Sequence, residues 1–472
     1  MRRWLTALAA ALALLVAAPV FAAHDAELSM MDDQALLGAS PAQIGRVLDR
    51  MQALGADRLR VSAFWADIAP SPHALARPRG FDARNAFDPR YDWTALDRVV
   101  AAAATRRMKV LISISTPMPY WAGAQPKRRN AVWEPKPPQF AAFAYAVASR
   151  YGTTVDQFAL LNEPNQGAWL QPQSIRGQPV SPHLYRALVQ AAYPAAKAAA
   201  PRSTVLVGEL ASSGRDDPGV TRPIRPLKFL RVMGCRDAHF RRLRVPRCKH
   251  FRSVPADAIG HHPYAIFQSP FAHSLSRDDA AIGDWRQLES TLDRLVAVHA
   301  VKPSHGRRLS IYYTEFGYQT DPPDPFAGIP LAKQDRWLQD AAYVAWATPR
   351  VRGLNQFELA DGRIGGKGPL AFRQFQSGLW FANGKPKPAA KSFPDPIVVR
   401  GGVVWGQVRP GGAHRVTVER RLRGARGFAR VALVSTDAHG YFDARMARRP
   451  GGYRFRWADS SGSGVSEAVT VR

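Results

Sequence analysis

Two glutamates stand at the ends of apolar runs that otherwise read as buried strands: Glu163 in FALLNEPNQGAWL and Glu315 in IYYTEFGYQT. One such residue alone is ordinarily an exposed charge or half of a salt bridge. Two that face each other can divide labour, because carboxyl groups in different settings can serve as a proton donor and as a nucleophile or base. Pro164 blocks continuation of the first run into a helix and biases Glu163 toward extended backbone. The carboxyl is therefore expected where a strand stops and a loop begins. Asn162 precedes it directly, and Arg60, His262 and Tyr264 lie in other strand-like runs, RVSAFW and GHHPYA.

The elements that must position these residues repeat eight times between about residues 27 and 360. The strand candidates are AELSMMD, RLRVSAFW, KVLISIST, VDQFALLNE, TVLVGEL, DAIGHHPYA, LSIYYTEFG and GLNQFELAD. Between them run helical patterns such as PAQIGRVLDRMQAL and WRQLESTLDRLVAVH, with apolar residues three and four apart. Among these the stretch RPIRPLKFLRVMG has the least regular helical spacing. Eight strand and helix units predict a closed (β/α)8 barrel, an α/β fold whose chemistry sits at the C-terminal ends of the strands. The barrel is expected over 24–397. From 398 to 472 the pattern changes to short alternating runs separated by Gly, Pro and Asp, which predicts a small β-sandwich. In an eight-stranded barrel of radius about 7 Å, positions three strands apart are roughly 13 Å apart at the backbone. Two inward glutamates, each reaching about 4 Å, then leave on the order of 5 Å between carboxyl groups, near the spacing of retaining glycosidases, with the wider inverting spacing within the ~2 Å error of the geometry.

In this order along the barrel, RVSAFW at 60–65, NEP at 162–164, HPY at 262–264 and TEFG at 314–317 resemble the clan A glycoside hydrolases, near families 5 and 39. The resemblance implies retaining double displacement on a poly- or oligosaccharide, with Glu163 as acid/base and Glu315 as nucleophile. It also implies that Asn162 binds the hydroxyl beside the reacting carbon, that Arg60 and Tyr264 orient Glu315, and that His262 lines the same pocket. The physical chemistry agrees: a nearby guanidinium and a phenol hydrogen bond both favour an ionised nucleophile. Trp65, Trp121 in TPMPYWA and Trp169 fall at or just beyond strand ends, where an indole can stack on a sugar ring or pack in the core. His261 should point to the opposite face from His262 and be structural. Glu209, Glu358 and Asp361 also end strands, as substrate ligands or as supports for their neighbours. The chain departs from family 5 after its third and eighth strands, where ISISTPMPYWA and LNQFELAD stand in place of the usual histidine and tryptophan. Sugar preference therefore does not carry over. The same catalytic pair would serve transglycosylation, and a protein of another class, binding carbohydrate or building the envelope without turnover, is the alternative.

Composition narrows the setting. The 472 residues are 46% hydrophobic and 10% aromatic, as in a globular chain. Residues 1–22 combine two arginines, an alanine- and leucine-rich run and a small-residue end at Val20 and Ala22, which predicts a signal peptide and a secreted or envelope-associated protein. A retained N-terminal anchor is the other reading, and no later stretch is long and apolar enough to span a bilayer. Cys235 and Cys248, the only cysteines, are expected to form a local disulfide in an oxidising compartment, with two unpaired thiols as the alternative. The net charge of +28, carried by only twelve lysines among sixty-five basic residues, is spread through every segment. It suits non-specific attraction to anionic envelope polymers, while no motif for specific nucleic-acid binding is present. A metal site from Glu209, His261, His262 and Glu315 lacks a recognisable ligand spacing. There is no GxSxG elbow and no phosphate loop, so the chemistry is expected to need no cofactor.

Overall fold

The computed structural model describes residues 25–447 and 449–472; the expected signal segment, 1–22, lies outside the described residues. Eight parallel strands close into a barrel: β1 (Glu27–Met31), β2 (Arg58–Phe64), β3 (Lys109–Ser115), β4 (Gln157–Leu160), β5 (Thr204–Ala211), β6 (Ala258–His262), β7 (Ser310–Phe316) and β8 (Val351–Phe357). They run in sequence order around the barrel, and β1 closes it by pairing with β8 over five residues. The strands are buried nearly throughout because helices cover the outside and side chains fill the inside.

Each strand is followed by a helix: α1 (Pro41–Ala53), α2 (Thr94–Thr105), α3 (Pro137–Tyr151), α4 (Ser181–Ala199), α5 (Pro226–Met233), α6 (Trp285–Ala297), α7 (Leu331–Trp346) and the short α8 (Pro388–Ser392). Local sequence starts them. Ser40 and Gln43 form a reciprocal capping box on α1, and proline occupies the first turn of α3, α4, α5 and α8, where its missing N–H costs nothing. The irregular stretch RPIRPLKFLRVMG does form a helix, α5, with Leu227, Phe229, Leu230 and Met233 turned into the core.

The barrel interior is filled in layers. Strand alternation points both Arg58 and Arg60 of β2 inward. At the N-terminal end, Arg58 bonds Glu27 (2.8 Å) and Asp156 (2.6 Å). Above it Leu111, Ala159, Leu206 and Ala258 form an apolar layer. Arg60 lies above that, at the C-terminal mouth.

The C-terminal residues build two packed sheets. One holds β9 (Ile397–Arg400), β10 (Val403–Gln407) and β13 (Tyr441–Arg445); the other holds β11 (Arg415–Arg421), β12 (Ala429–Ser435), β14 (Gly451–Asp459), β15 (Gly462–Val465) and β16 (Val469–Val471). Ile397, Val404, Val416, Val418, Phe442 and Phe455 fill the space between them. A second cluster joins this sandwich to the barrel: Trp405 and Tyr441 pack on Ala342 and Trp346 of α7, and the Tyr441 hydroxyl donates to Ala26 O, just before β1. Of the sandwich aromatics, Trp405 and Tyr453 are buried, so they form no exposed sugar-binding platform. Cys235 and Cys248 are joined in a disulfide.

Trp405 is fully buried at the seam, so Trp405→Ala is expected to destabilise the protein by about 3–5 kcal/mol through the cavity it leaves. Chemical denaturation checks this, and an unchanged midpoint would show that the seam carries no load.

Candidate active site at the barrel mouth

Four strands deliver charged groups to one point. Arg60 of β2 is completely buried, and its guanidinium donates to Glu315 Oε1 (2.8 Å), Asn162 Oδ1 (2.8 Å) and both oxygens of Glu209 (3.2 Å each). This fixes the Asn162 amide, leaving its NH2 group to face a ligand. Glu209 also accepts from the Ser113 hydroxyl. Its neighbour across the sheet must be glycine, since a Cβ on Gly260 would stand 2.8 Å from Glu209 Cγ.

His262, at the end of β6, sits among three acids. Its Nδ1 is 2.9 Å from Glu163 Oε1 and 3.3 Å from Glu315 Oε2, and its Nε2 is 3.8 Å from Glu209 Oε1. The Tyr264 hydroxyl donates to Glu315 Oε2 at 2.9 Å. One oxygen from each of Glu163 and Glu315 and a ring nitrogen of His262 all fall within 4.8 Å of one another. His261, one residue away, points out of the barrel and bonds Ala280 O at 2.7 Å, as strand alternation requires.

Electrostatics sort these groups. Burial alone would drive His262 to the neutral form, but Glu315, Glu163 and Glu209 outweigh it and push the imidazole up to about 9. Burial likewise opposes ionisation of Glu209, yet Arg60 and His262 hold its carboxyl well below the usual range, making it a fixed anion. Burial pushes Glu315 up, helped by the charges of Glu163 and Glu209 and opposed by His262 and Arg60. Burial and the nearby acids keep the Tyr264 phenol protonated and hence a donor. Glu358, after β8, is buried with one oxygen unpartnered, and burial followed by the charges of Asp32 and Asp33 pushes its carboxyl well above the usual range.

The backbone departs from expectation at Glu163. Instead of the extended geometry that Pro164 favours, Glu163 has φ +37°. Its N–H donates to Glu209 O (3.0 Å), and Asn165 ties the turn down by accepting from Ala211 N (2.9 Å) and donating to Ala211 O and Ile224 O. These long-range bonds override the local preference. Glu209 is likewise left-handed, at φ +45°.

The aromatic assignments also change. Trp65 and Trp121 are core residues and do not reach the mouth. Trp65 opens a helical turn straight after β2, which swings it outward to stack on Phe143 of α3 (centroids 5.4 Å apart) with Trp121 edge-on. Trp121 is closed in further by its indole bond to Pro70 O. The half-buried aromatic pair is instead Phe64 and Trp169, stacked at 6.3 Å with planes 6° apart at the ends of β2 and β4. Asp361 is taken up by a buried ion pair with Lys387 (2.6 Å) that pins the loop after β8. Beside that loop, a cleft of about 720 Å3 runs from Asp32 and Ala360 across α1 to Arg46, Arg50 and Arg363.

Among the described residues, two groups of side chains have metal-like proximity. Glu163, His262 and Glu315 are one, the acids and imidazole of the barrel mouth. His183 with Cys235 and Cys248 is the other, and both sulfurs are in the disulfide.

No family model matches the sequence, and no curated protein matches it significantly. Solved structures do match in fold. A family 39 glycoside hydrolase from the gut symbiont Bacteroides cellulosilyticus WH2 superposes with a TM-score of 0.52 at 15% identity, over 91% of this chain and 80% of that one. A glucosidase from Croceicoccus marinus gives 0.51 at 12%, over 89% and 93%. The likeness is to clan A glycoside hydrolases. At these identities it is a likeness of fold, and the site's chemistry rests on its own geometry.

With the folded-state pKa of His262 above its ordinary 6.5, the stability it contributes is full below that value and is lost as pH rises through about 9. The imidazole resonance of His262 in NMR should titrate near pH 9, and His262→Gln should flatten the melting temperature across that window. A midpoint at or below 6.5 would contradict the charge arrangement.

Proposed function

We propose that this protein is a retaining glycoside hydrolase acting on a poly- or oligosaccharide, with Glu163 as general acid and base and Glu315 as nucleophile. The observation that carries the reading is the approach of the two carboxyl groups, within 4.8 Å through their nearest oxygens, at the C-terminal mouth of the barrel. Retaining glycosidases hold their carboxyls about 5–5.5 Å apart, whereas inverting ones need about 6.5–9.5 Å to admit a water.

In the first step Glu315 attacks the anomeric carbon while Glu163 protonates the departing oxygen. The negative charge of the pair is conserved: it leaves Glu315 as the ester forms and appears on Glu163 as the proton goes. His262 lies within hydrogen-bonding reach of both carboxyls, so its positive charge stabilises the anion at either end of that transfer. Arg60 and Tyr264 donate to separate oxygens of Glu315, which fixes the carboxylate for attack. In the second step Glu163 takes a proton from water, or from a sugar hydroxyl in transglycosylation, as that oxygen bonds to the anomeric carbon and the ester bond to Glu315 breaks, restoring its carboxylate. In this reading the amide of Asn162 and the stacked Phe64–Trp169 pair hold the sugar. The N-terminal segment 1–22 supports export, to the exterior or the envelope.

Glu163→Ala should lower turnover of a substrate with a poor leaving group by about 10²–10⁴-fold, with much less effect on an activated aryl glycoside. Glu315→Ala should abolish hydrolysis, and azide should then yield a glycosyl azide of inverted configuration. NMR of the wild-type reaction should show a first product of retained anomeric configuration. An inverted first product would remove the double displacement, and glycan binding without new reducing ends would leave a binding protein in its place.

A further inference from the structure

The disulfide-bounded loop between α5 and β6, residues 235–248, is not used by the catalytic reading. Strand direction places it at the N-terminal end of the barrel, opposite the mouth, because it follows a helix and leads into a strand. Its side chains are strongly biased: a concavity of about 950 Å3 is lined by Arg241, Arg242, Arg244 and Lys249 against the single carboxylate of Asp237. All four cations are exposed.

Arginines elsewhere in this basic chain are commonly matched by acids, as Arg225 is by Asp216 and Asp279 and Arg350 by Asp293. Among the described residues, none of the four lining cations has a carboxylate within 4.0 Å, and Arg242 reaches only the backbone oxygens of Cys248 and Lys249. The loop is held in shape by the Cys235–Cys248 bond and by Arg186 of α4, which donates to Met233 O, Arg247 O and Cys235 Sγ. The adjoining connection, between α6 and β7, adds Lys302, Arg307 and Arg308. A short parallel pairing of Val254–Ala256 with Val301–Pro303 holds the two connections side by side.

We propose that this face is an anchoring site for a carboxylate-bearing polysaccharide, separate from the active site. Guanidinium groups pair with carboxylates through two parallel hydrogen bonds, and a concavity built before binding lowers the ordering cost. A single-stranded nucleic acid would instead need open aromatic faces for its bases. The two aromatics here are covered by arginine: Phe240 by Arg294, and Phe251 by Arg186 and Arg236. Because the site lies on the far side of the barrel, a polymer held there leaves the mouth open.

The test measures binding of the full chain to polygalacturonate over a salt series. A variant with Arg241, Arg242, Arg244 and Lys249 all changed to Gln is compared with a control in which Arg421, Arg423, Arg426 and Arg430 of the C-terminal sandwich are changed to Gln, removing equal charge. Wild-type affinity should fall steeply with salt, the loop variant should bind about tenfold or more weakly, and the control should stay near wild type. Melting temperatures verify that both variants fold. Equal losses in the two variants would reduce the effect to overall charge and overturn the proposal, as would wild-type binding by the loop variant or tighter binding of double-stranded DNA than of polygalacturonate at matched salt. Neither the binding assay nor its outcome depends on turnover, so a failure here is separable from a failure of the catalytic reading.

Discussion

The buried guanidinium of Arg60 is the constraint on which the site rests. A cation without access to water costs several kcal/mol to bury unless its donors are all met; here one N–H goes to Met31 Sδ and the other four to Glu209, Glu315 and Asn162. Those partners come from β5, from β7 and from the residues just after β4. Four strands are thereby held at one height, because a slip of a single residue in any of them would turn its partner to the outside of the barrel. The geometry that brings the two catalytic candidates together thus follows from satisfying one arginine.

The arrangement also limits how much negative charge the mouth carries. Arg60 and His262 hold Glu209 well below the usual carboxylate range, and burial and acidic neighbours push Glu358 well above it. What remains is the Glu163 and Glu315 pair with the His262 cation between them. A charge can pass from one carboxyl to the other without moving far from its counter-ion, and preorganised charge of this kind needs no rearrangement when the reaction occurs.

The fold was legible because burial on both faces forces long apolar runs, and all eight runs became barrel strands. Glu163 and Glu315 were legible as a pair because each breaks such a run at its C-terminal end. Side-chain direction was harder to read. Trp65 and Trp169 both lie near strand ends, but the helical turn after β2 takes one into the helix layer while the NEPN turn leaves the other beside Phe64. That choice is made by backbone several residues away, as is the left-handed conformation of Glu163. The part played by Glu209 was also underrated. Its signals were the need of a buried Arg60 for a second anion and the glycine at position 260, each meaningful only once the strands are known to be neighbours.

The contact of Tyr441 with the residue before β1 carries a further consequence. β1 pairs with β2 on one side and with the much later β8 on the other, and Tyr441 of the sandwich reaches the residue before it. Contacts so distant in sequence form late, so an emerging polypeptide holds an unclosed sheet until β8 is available. Under the proposed export, that delay would leave the chain open to threading through a translocation channel.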